Sequence, residues 1–370
     1  MPITSAKASE NEGSFGNEVR TIEFPNDVHT LAWSHNGRYL AVSNTAGNRV
    51  WLYDLDKNEI RWTVKKGGGI HQGLAFSAGD RFVVTAPING AGGQRWEATI
   101  GLVDVETGEA HNLVEPLPMT AEGKVADIND AMGLAASADG KAVVALIGNR
   151  GRIYVYDTTT WQIRHHIGPI LTEHRGSTLG GGPLAIDPGR DLVVYADHRG
   201  AAEHGVVDTW RLLTNTRLNS FPAYEVGMRR MILDPLTGTL FTGSNADIIG
   251  VPDPTQPGHM LEKQDDPLTA VRAWNPMTGE RVQTYEGPGM GVAALSLSPN
   301  GRYLAATKGG GLIPAYLIAW DAKTGARLAV RDFGKDHWVF ALAFSPDGQR
   351  LAYGLDDEIY ILELDPDLFR

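Results

Sequence analysis

The chain has 370 residues, 42% of them hydrophobic, with 44 acidic and 33 basic side chains and no cysteine. A net charge of -11 argues against nucleic acid, whose phosphates call for clustered Lys and Arg. The missing cysteines exclude disulfides, thiolate zinc sites and cysteine nucleophiles, and no apolar stretch approaches the roughly 20 residues that cross a bilayer.

Residues 1–17 are rich in Ser, Asn, Glu and Gly and read as a disordered tail. They lack the apolar core of a signal peptide, so a cytoplasmic location is expected. An isolated strand, Val19 to Phe24, follows. From Leu31 onward one phrase recurs. It reads Leu31-Ala32-Trp33-Ser34-His35-Asn36-Gly37, then Leu74-Ala75-Phe76-Ser77-Ala78-Gly79-Asp80, with further copies from Leu134, Leu184, Met231 and Leu295. The last is Leu342-Ala343-Phe344-Ser345-Pro346-Asp347-Gly348. In each copy an apolar strand meets a tight polar turn whose Gly accepts a positive φ. A second apolar strand follows, such as Tyr39-Leu40-Ala41-Val42. The third ends in an aromatic and often an acid, as in Leu52-Tyr53-Asp54 or Ala319-Trp320-Asp321. A turn such as Glu106-Thr107-Gly108 leads into a fourth. Helical periodicity is absent, so each copy is a four-stranded antiparallel meander.

Seven units fit, at 31–64, 74–115, 134–167, 184–221, 231–285, 295–333 and 342–370. Four-stranded meanders at this period resemble a divergent prokaryotic WD40-type β-propeller, with Trp320-Asp321 and the Ser345-Pro346-Asp347-Gly348 turn as the most specific residues. The family's Gly-His dipeptide is missing from most units. Its Trp-Asp pair has become Trp210-Arg211 in the fourth and Trp274-Asn275 in the fifth, which implies an incomplete buried hydrogen-bond network. The expected fold is all-β, a single seven-bladed propeller over residues 18–370. Because the seventh unit stops after its third strand, the N-terminal strand is expected to complete that blade and close the ring.

Meander geometry puts the loops between second and third strands on the same face as the connections between units, and function is expected there. Two insertions fall on it: Pro87 to Glu97, and Asn245 to Thr269, whose prolines point to an irregular loop. A possible divalent-metal site gathers His174, His198, Glu203 and His204 from the loops of the fourth unit, although no strict ligand spacing is present. The rim of the central channel supplies His29, His71, Asp130, Arg229, Arg230, His337 and Trp338, residues preceding the innermost strands, and Trp96 could reach the same face. An exposed Trp beside His and Arg suits a recognition hot spot, while the alternative has Trp338 capping the core between blades. The three Gly triplets open no helix and are connectors rather than phosphate loops. Motifs for quinone or haem attachment are absent, so no cofactor is expected.

The resemblance implies a non-enzymatic platform that binds a protein or peptide, with the acidic balance favouring a basic partner. The alternative is a lyase- or hydrolase-like enzyme, or a small-ligand binder, using His and acidic residues at the channel mouth.

Overall fold

The recurring phrase is a self-contained hydrogen-bonded turn. In the first unit the Ser34 hydroxyl donates to Asn36 Oδ1 and accepts the Tyr39 N–H at 2.8 Å, while Asn36 Oδ1 accepts the Arg38 N–H. Ser137 with Asp139, Ser298 with Asn300, and Ser345 with Asp347 repeat the arrangement. The Gly that ends each turn has φ between 67° and 72°, a conformation that costs other residues energy. All partners lie within five residues, so in these four units the turn is satisfied by the phrase itself.

In the computed structural model the described residues are 13–44, 48–66, 73–89, 91, 98–115, 131–147, 151–168, 183–197, 205–224, 228–244, 250–252, 260–262, 270–289, 291–310 and 313–369. They form seven four-stranded antiparallel sheets, the blades of a β-propeller. Blade 1 comprises Thr30–Trp33, Tyr39–Ser43, Arg49–Asp54 and Glu59–Lys65. The innermost strands of blades 2 to 6 are Ala75–Phe76, Ala131–Ala136, Leu184–Asp187, Met228–Leu233 and Val292–Leu297. Between the second and third strands of blade 5, Gly250–Pro252 pairs with Met260–Glu262. The insertion expected to be wholly irregular therefore carries a short hairpin.

Blade 7 is built from both ends of the chain. Ala341–Phe344, Arg350–Leu355 and Glu358–Leu364 are its three inner strands, and Gly16–Glu23 pairs antiparallel with the last of them. The closing strand begins at Gly16, two residues before the expected boundary at 18. Order extends further still: the Gly13 N–H donates to Leu328 O at 2.9 Å and Phe15 is buried. Phe15 stacks on Phe369, which meets Tyr303 edge-on. The two termini thus share one apolar cluster with blades 6 and 7. Residues 1–12 lie outside the described residues.

Successive blades bury their facing sides against one another, and the third strands of blades 1, 2, 3, 5 and 6 end in a second repeated turn. Asp54, Asp104, Asp157 and Asp321 each accept the N–H groups two and three residues ahead, and Asn275 does the same without a charge. Burial pushes these carboxyls up, but the backbone donors outweigh it, joined by Arg38 at Asp54 and Arg164 at Asp157, so all four sit below the ordinary 3.8. A depressed folded pKa gives stability that is fully present above 3.8 and lost as the pH falls through the folded value. The melting temperature is therefore expected to hold down to about pH 4 and to fall steeply below it. Replacing all four with Asn, as blade 5 already has, should flatten that decline in a pH series of thermal melts. An equally steep decline in the quadruple variant would place the acid sensitivity elsewhere.

Candidate functional site

The innermost strands converge on a central channel whose mouth opens on the loop-rich face. The site begins with a local irregularity. Register shifts between Met228 and Arg230, so Arg229 is the extra residue of a β-bulge. Bulges re-aim side chains, and Arg229 and Arg230 both line the channel cavity of about 260 Å³, with His29 and Phe340 among the other lining residues. The sequence placed this Arg pair just before the innermost strand. The structure puts both inside it, because the bulge lets the strand start early.

Blade 7 supplies an aromatic ladder. Trp338 stacks on Phe340 with ring centroids 5.0 Å apart, and Phe340 stacks on His29 at 4.5 Å, both nearly parallel. The Arg229 guanidinium lies 5.5 Å from the Phe340 ring centre, within range of a cation–π contact. Trp338 is 44% exposed, so it does not cap the core between blades. It is nonetheless held firmly. Asp356, in the tight turn between the second and third strands of blade 7, accepts the Trp338 N–H at 2.9 Å and meets His337 Nδ1 at 2.7 Å. Its own N–H donates to Trp338 O. A Cβ on Gly310 would come within 2.7 Å of the indole, so the bare backbone of blade 6 is what lets the ring lie there.

His29 is held below its ordinary pKa, first by burial and then by the positive charges of Arg229, Arg230 and Lys66, with Asp27 opposing. The site is thus a cationic and aromatic mouth beside a small cavity.

Of the residues singled out from sequence, His29, Arg229 and Arg230 line the cavity, and Trp338, next to His337, stacks on the lining residue Phe340. His71, Trp96 and Asp130 lie outside the described residues, as do His174, His198, Glu203 and His204. Among the described residues no group of three His, Asp or Glu could hold a metal ion, and no helix is long and apolar enough to cross a membrane. Sequence reasoning passed over Phe340, Asp356 and Lys66. Strand alternation carries the signal for the first, since Trp338, Phe340 and Leu342 fall on one side of an extended chain.

Three segments, residues 16–54, 279–313 and 329–361, match the family described as WD domain, G-beta repeat. The chain carries WD40 repeats. Each matched segment opens on the outermost strand of one blade and continues into the inner strands of the next: Gly16–Glu23 into blade 1, Glu280–Tyr285 into blade 6, Arg327–Gly334 into blade 7. The WD40 repeat is thus offset from the blade by one strand, and the first repeat lends its opening strand to the last blade. The network tied to the family's Trp position is uneven. In blade 5 Trp274 Nε1 still donates to Thr242 Oγ1 at 2.9 Å, whereas in blade 6 Trp320 Nε1 goes to the Glu286 carbonyl.

Proposed function

We propose that the protein is a non-enzymatic interaction platform that binds a protein or peptide through the loop-rich face of its propeller, with Trp338 at the centre of the contact. WD40 propellers typically serve such a role, which gives the reading its class. The observation that carries it is the exposed, pre-positioned Trp338–Phe340–His29 ladder. A large aromatic whose backbone and ring are already fixed loses little entropy on binding, which is what makes Trp a frequent hot-spot residue.

Selection from a displayed library of random peptides tests this. Enriched peptides are expected to shift the tryptophan fluorescence and to bind Trp338→Ala roughly 30-fold more weakly, the penalty of a hot spot worth about 2 kcal/mol. No enrichment over a heat-denatured control, or binding indifferent to Trp338→Ala, would sink the proposal.

A further inference from the structure

We propose that the Asp356-Asp357 turn of blade 7 joins the aromatic ladder to the closure of the ring, with Asp356 as the positioning residue. The ladder and the closing strand Gly16–Glu23 then form one linked unit. A peptide held by Trp338 tightens the closure, and a loosened closing strand weakens the peptide. That consequence for a peptide rests on the platform reading; the joint itself does not.

The turn leads from Arg350–Leu355 into Glu358–Leu364, the strand on which the closing strand pairs, with Glu23 opposite Glu358. Asp356 has a φ of 54°, a left-handed conformation that Asp, Asn and Gly tolerate best. On one side it grips the ladder. Its N–H donates to Trp338 O at 2.9 Å, its Oδ1 accepts the Trp338 N–H at 2.9 Å, and its Oδ2 meets His337 Nδ1 at 2.7 Å. On the other side the turn holds the chain that leaves the closing strand. The Phe24 N–H donates to Asp357 O and the Val28 N–H to Asp356 O, both at 2.8 Å. The next residue is His29, which stacks on Phe340 and whose N–H donates to Ser43 O of blade 1. Asp356 is thus bonded to the outer rung, Trp338, and to the residue that delivers the inner one.

The connecting segment is packed as tightly as it is bonded. Phe24 and Val28 are buried, and Phe24 meets Trp51 edge-on. Val28 lies against Gly354, two residues before the turn, where an added Cβ would come within 2.7 Å of its Cγ1. Peeling the closing strand from its exit end breaks the Phe24 bond, then the Val28 bond, and draws His29 off the Phe340 ring. A partner that needs the stacked ladder therefore binds the closed ring better than the open one. Linkage makes the effect reciprocal: whatever steadies one end steadies the other by the same factor.

Amide hydrogen exchange of the full chain, read residue by residue, tests the joint. Asp356→Gly suits the positive φ, keeps the main-chain bonds and removes only the carboxylate. Exchange at Trp338, Phe24 and Val28 should all quicken at least about fivefold, the lower end of measured couplings between sites. The amide of Val194, wholly buried in blade 4, should not change, which excludes a general loosening. Asp356→Asn, whose Oδ1 can still accept the Trp338 N–H, should restore parental exchange at Phe24 and Val28. Ile22→Ala, within the closing strand, should quicken Trp338 in turn. Quickening confined to Trp338 in Asp356→Gly, or a Trp338 amide indifferent to Ile22→Ala, overturns the joint. The peptides enriched in the selection above, added at saturation, should slow Phe24 and Val28 at least about fivefold. They should bind Asp356→Gly more weakly by the same factor, and Asp356→Asn as they bind the parent. Peptides that need Trp338 but leave both amides unprotected overturn the linkage and leave the platform standing. If nothing is enriched the platform falls, and exchange in the free chain alone upholds or overturns the joint.

Discussion

A chain lacking residues 13–24 is expected to be insoluble, or to melt at least about 6 °C below the full-length protein. The deletion removes the closing strand and with it Phe15, Ile22 and Phe24, each no more than 5% exposed. At about 1.5–3 kcal/mol for each buried side chain, the loss is of order 5–9 kcal/mol, comparable with the whole stability of an ordinary domain. For a ring of this size that corresponds to roughly 6–12 °C. The exposed edge compounds the loss. Glu358–Leu364 would present the unpaired groups of a strand whose Ile359, Ile361 and Leu362 are almost wholly buried, a template for intermolecular pairing. The two effects separate when a synthetic peptide of residues 13–24 is added during refolding: it should restore solubility and most of the lost melting temperature. A deleted chain as stable as the parent would show that the ring needs no clasp.

That closure was legible in the sequence because it is a counting argument. Six units have four strands, the seventh has three, and one strand is left over. The turn phrase was legible for another reason, since Ser34, Asn36, Gly37 and Tyr39 satisfy one another within five residues. What escaped is non-local. Phe15 looked like part of a polar tail because Phe369 and Tyr303, which bury it, stand at other points of the chain. His29, Arg229 and Arg230 could be named from their place before the innermost strands, but the bulge that brings Arg229 to the cavity leaves no mark in an apolar pattern. Phe340 reads as one more core residue until blade 1 brings His29 against its face. Lys66 reads as a connector residue, since its burial comes from the packing of two blades and no motif encodes it.

The same limit applies to the Trp that ends the third strand, and it gives the second large effect. Trp320→Ala is expected to cost about 3–5 kcal/mol, a fall of roughly 4–6 °C in melting temperature. The ring is fully buried among residues of blades 5 and 6, meets Tyr285 edge-on, and donates from Nε1 to Glu286 O at 2.8 Å. Trp320→Phe keeps much of the packing but strands that carbonyl, so about 1–2 kcal/mol should go. Trp210 holds the equivalent place in blade 4 and is only partly buried, and its Nε1 is enclosed without a hydrogen-bond partner. Trp210→Phe removes a donor that already bears its desolvation cost, and should be neutral or stabilising by up to about 1 kcal/mol. Urea titration of the two Phe variants decides the matter. Equal losses would mean that the repeat position itself sets the contribution; a loss confined to Trp320 means that the same letter of the WD40 repeat stabilises one blade and burdens another, according to which neighbour stands opposite its nitrogen.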